Sequence, residues 1–265
     1  MKCIICNSSS KYYFSKKYTK APYARFMQEI GEVHYHKCEN CGFVLSKTHA
    51  ELEKEIWTQL NSQVHNHPIV TNQPPYLEQA MMLKILSTNN LICTNSMVDY
   101  ASGAGILSNV LKKYFKIDLP IFDPYIKKGN KKRYLDVGNL KSYKTVINSA
   151  FFEHVLRRDD LEAVNNLVDK DGCMVLHTVV CENIPDNPDW FYLEPPVHSA
   201  FHTNKSMEIL MKQWGYASSV YNPGSKCWVL FKHDNFRSEI QNINQEFKTD
   251  VFHYSSGFVN YWKGF

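Results

Sequence analysis

The sequence has no run of apolar residues near the roughly 18 that a membrane-spanning helix needs. Its longest apolar stretches, Cys173–Leu176 and Thr178–Cys181, are interrupted by His177. Glycine and proline are sparse, at 11 residues each in 265, which excludes collagen-like and low-complexity chains. The opening Met1-Lys2-Cys3-Ile4-Ile5-Cys6 carries no apolar core of a secretory signal. Internal repeats are absent as well. What remains is 44% hydrophobic, enough to bury a substantial core, and its length suits about two globular units. The expectation is a soluble, cytoplasmic protein without a membrane span.

Neither sign of charge dominates: 30 Lys and Arg stand against 26 Asp and Glu, a net +4. The distribution is uneven. Residues 1–48 carry eight basic against three acidic residues, and residues 112–133 carry eight against two, so the rest of the chain is acidic. Two basic islands suit an anionic partner such as a nucleotide, a phosphorylated sugar or nucleic acid; solvated Lys-rich faces would give the same pattern.

Eight cysteines are present, and four of them form two pairs, Cys3-Ile4-Ile5-Cys6 and Cys38-Glu39-Asn40-Cys41. Thiolates three positions apart converge on one tetrahedral ion, and four sulfurs close a structural zinc site with no position left for chemistry. Iron is the competing metal. A redox dithiol is the weaker reading, because there are two pairs and no surrounding βαβ pattern. The stretch between the pairs supplies Tyr12, Tyr13, Phe14, Tyr18, Tyr23, Phe26 and Tyr35 for a small core. Residues 1–48 are therefore expected to form a zinc-binding module with Cys3, Cys6, Cys38 and Cys41 as ligands.

Behind it, residues 49–70 read as a helical linker that starts on a Thr cap and ends in an irregular connector over 61–75. From Tyr76 a helix with an apolar face is expected, and then strands and helices alternate. The strands fall at 97–100, 119–123, 133–137, 145–148, 173–180, 216–221 and 227–231. The helices fall at 106–115, 155–168 and 206–214. Such alternation means an α/β fold with a doubly wound, Rossmann-like sheet of seven strands over residues 71–235. Residues 236–265 form an aromatic-rich extension in which Phe252, Tyr254, Phe258, Tyr261, Trp262 and Phe265 are too dense to remain in water. They are expected to pack on the preceding domain or to form a subunit interface, so a homodimer is an allowed assembly.

Asp99-Tyr100-Ala101-Ser102-Gly103-Ala104-Gly105 follows the first strand of this sheet, and Asp123-Pro124 closes the second. Small residues in such a turn let a ligand approach the backbone, and an acid at the next strand end accepts hydrogen bonds from ribose hydroxyls. A dinucleotide and S-adenosylmethionine both suit this plan. The carboxylate of Asp99 ahead of the turn repels a pyrophosphate and attracts a cationic ammonium, which favours S-adenosylmethionine.

These residues resemble the class I S-adenosylmethionine-dependent methyltransferases. The turn is similar to that family's D-x-G-x-G-x-G loop with Ala101 in place of the first glycine, and Ile121-Phe122-Asp123-Pro124 resembles its ribose-binding segment. Phe151-Phe152-Glu153-His154-Val155 resembles the segment after the fourth strand, and residues 168–175 the turn into the fifth. With the cysteine pairs in front, the chain looks most like bacterial sugar O- or C-methyltransferases that carry an N-terminal metal module. Their P-x-H-x-x-x-F segment has a counterpart in Pro196-Val197-His198-Ser199-Ala200-Phe201-His202. The larger members have a further C-terminal domain that these 265 residues do not include, so the reading favours O-methylation.

The resemblance implies Asp99, Ala101, Gly103, Gly105, Asp123 and Pro124 at the cofactor, Asp136 at the adenine amino group, and Tyr76 either over the methionine end or packed as part of its helix. Methyl transfer to a hydroxyl needs a general base, and His is the usual one. The resemblance places His154 beside the cofactor and His198 on the acceptor side, with Glu153 orienting a loop or bonding the acceptor. His202 is a secondary candidate, and His177 reads as a core residue. Trp190, Phe191 and Tyr192 suit stacking on a sugar or the packing of a lid. The expected acceptor is a sugar or nucleotide-linked sugar. The alternative is a zinc-module rRNA base methyltransferase, against which stand the long step from Cys6 to Cys38 and a charge modest for RNA.

Overall fold

Short strands, half of them buried along their whole length, build two separate sheets in the computed structural model, which describes residues 1–67, 74–125 and 130–260. The strands are β1 (Ser10–Lys16), β2 (Val33–Cys38), β3 (Val44–Ser46), β4 (Met97–Tyr100), β5 (Ile121–Phe122), β6 (Tyr143–Ser149), β7 (Val168–His177), β8 (Val180–Cys181), β9 (Ala200–Thr203), β10 (Ser218–Asn222), β11 (Cys227–Phe231) and β12 (His253–Ser256). The helices are α1 (Tyr23–Phe26), α2 (Lys47–Ala50), α3 (Lys54–Asn66), α4 (Tyr76–Thr88), α5 (Ile106–Val110), α6 (Arg158–Asn165), α7 (Asn204–Gln213) and α8 (Arg237–Phe247).

The chain divides into two compact units. One comprises Met1–Asn72, Phe152–Leu161 and Val179–Ile209, the other Gln73–Phe151, Glu162–Thr178 and Leu210–Phe265. These cut the chain elsewhere than the expected segments 1–48, 49–70, 71–235 and 236–265, for reasons visible in the packing. Within the first unit the strand order is β1-β2-β3-β9-β8, so residues from 180 to 203 extend the sheet begun by the cysteine-bearing hairpin. Trp57, Leu60 and Val64 lie on one face of α3 and pack with Phe14, Tyr18, Tyr35, Val197 and Phe201, so α3 is core rather than linker. Its last turns, through Asn66, occupy the start of the expected connector; residues 68–73 of that connector lie outside the described part. The expected Thr cap is replaced by Ser46, whose Oγ accepts from the His49 N–H at 3.2 Å.

The second unit is a seven-stranded sheet in the order β12-β10-β11-β7-β6-β4-β5. Strands β5, β4, β6 and β7 are parallel, and β11, β10 and β12 continue antiparallel. The doubly wound seven-stranded fold class is thus the observed one, with one exchange among its strands. The expected strand at 133–137 is a single bridge, Ile121 to Tyr134, and β12 from the C-terminal extension takes the seventh place at the other edge. One face of the sheet presents Met97, Ile147, Cys173, Val175, Val220 and Val229 to Leu83 and Leu86 of α4, Leu107 of α5 and Ile240 and Ile243 of α8. β7 starts at Val168, earlier than expected, and ends earlier too: the chain leaves the sheet after His177, and Val180–Cys181 joins the other sheet instead.

The aromatic extension packs as expected on its own unit: Phe252 and Phe258 are buried, and Phe258 stacks on Trp228 at 5.5 Å between centroids. Tyr261, Trp262 and Phe265 lie outside the described residues. Among the described residues no helix is long and apolar enough to cross a membrane.

Candidate functional site

In the sheet unit, β4 pairs with β5 on one side and β6 on the other. The chain leaving β4 therefore enters the crevice where strand order reverses, the place at which open α/β sheets bind ligands. Three residues of the turn hold left-handed backbone: Ala101 at φ +59°, Gly103 at +54° and Gly105 at +67°. A Cβ at Gly103 would meet nothing within 4 Å, whereas at Gly105 it would come within 2.9 Å of Ile121 Cδ1. Gly105 is thus needed for packing and Gly103 leaves open space over the turn.

Asp123 reaches that turn: its Oδ2 accepts from the Gly103 N–H at 2.7 Å and its Oδ1 from the Tyr125 N–H at 2.8 Å. Tyr134 steadies the same turn by donating its hydroxyl to the Gly103 carbonyl at 2.6 Å. Asp99 is buried at the end of β4, and its Oδ1 has no hydrogen-bond partner. Burial, followed by the nearby charge of Asp123, pushes its pKa up to about 8. Ser102 Oγ, Asn148 Oδ1 and Gln79 Nε2 are further buried atoms without a partner in this unit. Gln79 and Asn148 were not singled out in the sequence. Asn148 stands directly after the apolar pair Val146-Ile147, where a polar residue in a buried strand is a signal, while Gln79 lies on an ordinary helix face and carries no signal.

The remaining cofactor candidates are dispersed around this turn. Pro124 is exposed directly after Asp123, and Asp136 is exposed beyond the Tyr134 bridge. Tyr76 is half-buried against the sheet unit's core at the start of α4. Of the basic run, Lys127 and Lys128 lie outside the described residues, and Lys131–Arg133 form an exposed turn with Arg133 donating to Asn109.

The first unit holds two side-chain clusters. The four cysteines converge, with Cys3 and Cys41 sulfurs 3.7 Å apart, Cys6 and Cys38 sulfurs 3.4 Å apart, and all four within 4.8 Å of one another. A tetrahedral zinc with bonds of about 2.3 Å sets its sulfurs ~3.8 Å apart, so the donor set fits. Backbone N–H groups of Ile5 and Cys41 point at the sulfurs of Cys3 and Cys38, at 3.4 and 3.5 Å. Such contacts orient and stabilise thiolate ligands.

The second cluster brings together Glu153, His154 and His198. Glu153 and His154 stand on a tight turn after β6, and His198 follows the turn Phe191–Leu193. His198 Nδ1 lies 2.7 Å from the Tyr192 carbonyl and His154 Nδ1 lies 3.0 Å from the Val197 carbonyl. A carbonyl only accepts, so each Nδ1 carries the proton and each Nε2 the lone pair. The two rings meet edge-on with centroids 5.0 Å apart. Tyr192 donates its hydroxyl to Glu153 Oε1 at 2.7 Å, and its ring lies 4.6 Å from that of His198. His65 of α3, which sequence reasoning passed over as part of a linker, stacks edge-on at 5.1 Å from His154. Burial lowers the His154 pKa well below the ordinary imidazole range, and it lowers His198 to about 4. His202 is a core residue: it is fully buried, its Nε2 is 3.3 Å from the Phe152 carbonyl, and burial lowers its pKa to about 4. Trp190 is half-buried against the core of this unit, whereas Phe191 is exposed.

No protein-family model and no curated protein matches the chain. Among solved structures it is similar to the plantazolicin methyltransferase BpumL in complex with S-adenosylhomocysteine, with a TM-score of 0.40 and 14% identity over 74% of this chain and 87% of that one. It is similar to the magnesium protoporphyrin IX methyltransferase of Synechocystis PCC 6803, also with S-adenosylhomocysteine bound, with a TM-score of 0.36 and 11% identity over 68% and 87%. Coclaurine N-methyltransferase gives a TM-score of 0.34 and 18% identity over 55% of this chain, and the match spans half of that enzyme's length.

Proposed function

We propose that the chain is an S-adenosylmethionine-dependent methyltransferase whose acceptor is the hydroxyl of a sugar or nucleotide-linked sugar. The observation that carries the reading is the turn at the sheet's switch point, where Asp99 and Asp123 flank a left-handed, glycine-containing loop. Asp99 is a buried carboxylate with an unpartnered oxygen, which a cationic amino group satisfies and a pyrophosphate does not. Asp123 closes β5 beside the turn, the strand-end place from which an acid accepts hydrogen bonds from a ribose diol. When bound, S-adenosylmethionine supplies a methyl group on a positively charged sulfur.

The acceptor oxygen becomes a competent nucleophile as its proton leaves, and Nε2 of His198 or of His154 receives that proton. Tyr192 orients Glu153, and the Tyr192 and Val197 carbonyls fix the two imidazole tautomers. The exposed Phe191 ring, on the turn that carries Tyr192, supports a sugar by offering an apolar face to pyranose C–H groups. The four cysteines hold a structural zinc ion.

Calorimetric titration with S-adenosylmethionine, followed by turnover on a panel of nucleotide sugars, tests the proposal. Saturable binding and methylation of one sugar class are expected, and of His154→Ala and His198→Ala the one that removes the base lowers kcat/KM by about 10²–10⁴-fold. Failure to bind the cofactor removes the enzyme reading. Salt-sensitive RNA binding with methylation of RNA alone would replace the sugar with a nucleic-acid acceptor.

A further inference from the structure

We propose that Glu153, His154 and His198 form a second metal site, binding one divalent transition-metal ion through two imidazole nitrogens and a carboxylate oxygen. One donor atom from each of the three residues lies within 4.8 Å of the others, inside a single unit of the fold. Both histidines already have the second-shell bond typical of metal-ligating imidazoles: Nδ1 is committed to a backbone carbonyl, which leaves the Nε2 lone pair for a cation. The carboxylate has the matching support, a hydroxyl donor from Tyr192 at 2.7 Å. Glu153 is 2% exposed and His198 9%, so an ion here would sit beside a buried negative charge in a medium where that attraction is strong.

The donor set differs in kind from the cysteine cluster. Four thiolates complete a tetrahedral zinc, whereas two nitrogens and one carboxylate leave at least one position open. Zinc, cobalt, manganese and ferrous iron share this ligand chemistry, and the open position takes an oxygen donor. That donor is water at rest and, on the reading proposed above, the acceptor hydroxyl; a ligated Nε2 cannot also serve as the base, so with the ion bound the metal polarises the hydroxyl and its proton leaves to solvent. The inference deepens that reading and rests on its assignment of this cluster to the acceptor, but metal binding is measured without turnover, so the two fail separately.

The full-length protein is loaded with one equivalent of zinc to fill the cysteine site and then titrated with Zn2+, Co2+, Mn2+ or Fe2+, the last anaerobically. Bound metal is counted after dialysis. A second saturable equivalent is expected for at least one of the four ions. When that ion is Co2+, it should add weak visible bands without adding thiolate-to-metal charge transfer. His154→Asn, His198→Asn and Glu153→Gln should each weaken the second equivalent by at least about 100-fold while the first is retained. Retention of the first equivalent also reports that the unit still folds. Saturation at one equivalent with all four ions overturns the proposal on the wild-type protein alone, and so does a second equivalent unaffected by the three substitutions. Full methyl transfer by protein that holds only the thiolate-bound metal would leave the methyltransferase reading standing without this site.

Discussion

Ala101 adopts φ +59° at the position where the resembled loop has glycine. An L-residue in left-handed backbone costs roughly 1–2 kcal/mol, partly offset because alanine loses less chain entropy than glycine on folding. Ala101→Gly is therefore expected to raise stability by up to about 1 kcal/mol, read from the urea midpoint at unchanged m-value. A loss of stability would mean that the methyl group makes contacts worth more than the strain. Asp99 leads to a second prediction at this scale. Its pKa of about 8 lies above the ordinary carboxylate value, so its contribution to stability is fully present below about pH 4. That contribution fades as the pH rises through 8. At pH 7 the carboxyl is mostly protonated, and a cation bound beside it must expel that proton. Binding of S-adenosylmethionine at pH 7 should release up to one proton, seen as a dependence of calorimetric enthalpy on the buffer's ionisation enthalpy. Asp99→Asn should abolish the release. Binding with no proton release in the wild type would separate Asp99 from the cationic end of the ligand.

The elements show what a sequence can and cannot disclose. β11 was readable as the unbroken apolar run Cys227–Phe231, while β4 and β6 were readable from the shorter apolar pairs Met97-Val98 and Val146-Ile147, each followed by a polar residue. The turn after β4 was readable for the same reason, since Asp99, Gly103, Gly105 and Asp123 are local punctuation. β12 was not, because His253-Tyr254-Ser255-Ser256 has no apolar alternation; it is a strand by virtue of pairing with β10. The expected strand at 133–137 fails conversely: Tyr134 alone bridges Ile121, and Asp136 and Val137 turn into solvent. α3 looked like a linker because its buried Trp57, Leu60 and Val64 are separated by polar residues, and its partners come partly from the first strands, at Phe14, Tyr18 and Tyr35, and partly from Val197 and Phe201, more than a hundred residues further along. The histidine cluster was half legible. His154 and His198 stand in recognisable segments, but their tautomers depend on carbonyls of Val197 and Tyr192, and His65 is brought in by α3. Contacts of that kind belong to the tertiary structure and leave no spacing in the sequence.

At the scale of the whole chain, stability has two separate sources. The sheet unit relies on an apolar core alone, while the other unit adds the cysteine cluster to a core of aromatic and aliphatic side chains. The cluster ties the first residues, through Cys3 and Cys6, to the end of β2 and the following turn, through Cys38 and Cys41. The bridge between Lys2 and Ser9 is the regular backbone pairing that joins the first knuckle to β1. Structural zinc binding is worth on the order of 10 kcal/mol or more in isolated modules, a large share of any domain's stability. Yet Phe14, Tyr18, Tyr35, Trp57 and Phe201 form a core that does not involve the metal. Removing zinc is therefore expected to loosen one unit without dismantling the other. After chelation under reducing conditions, calorimetric unfolding should resolve two transitions, the first lowered by roughly 10 °C or more and the second unmoved. Restoring one equivalent of zinc should merge them again, and Cys38→Ser should reproduce the chelated profile without chelator. A single transition that neither chelation nor Cys38→Ser shifts would take the four cysteines out of the protein's stability altogether. The hydrophobic core would then be the sole support of the first unit.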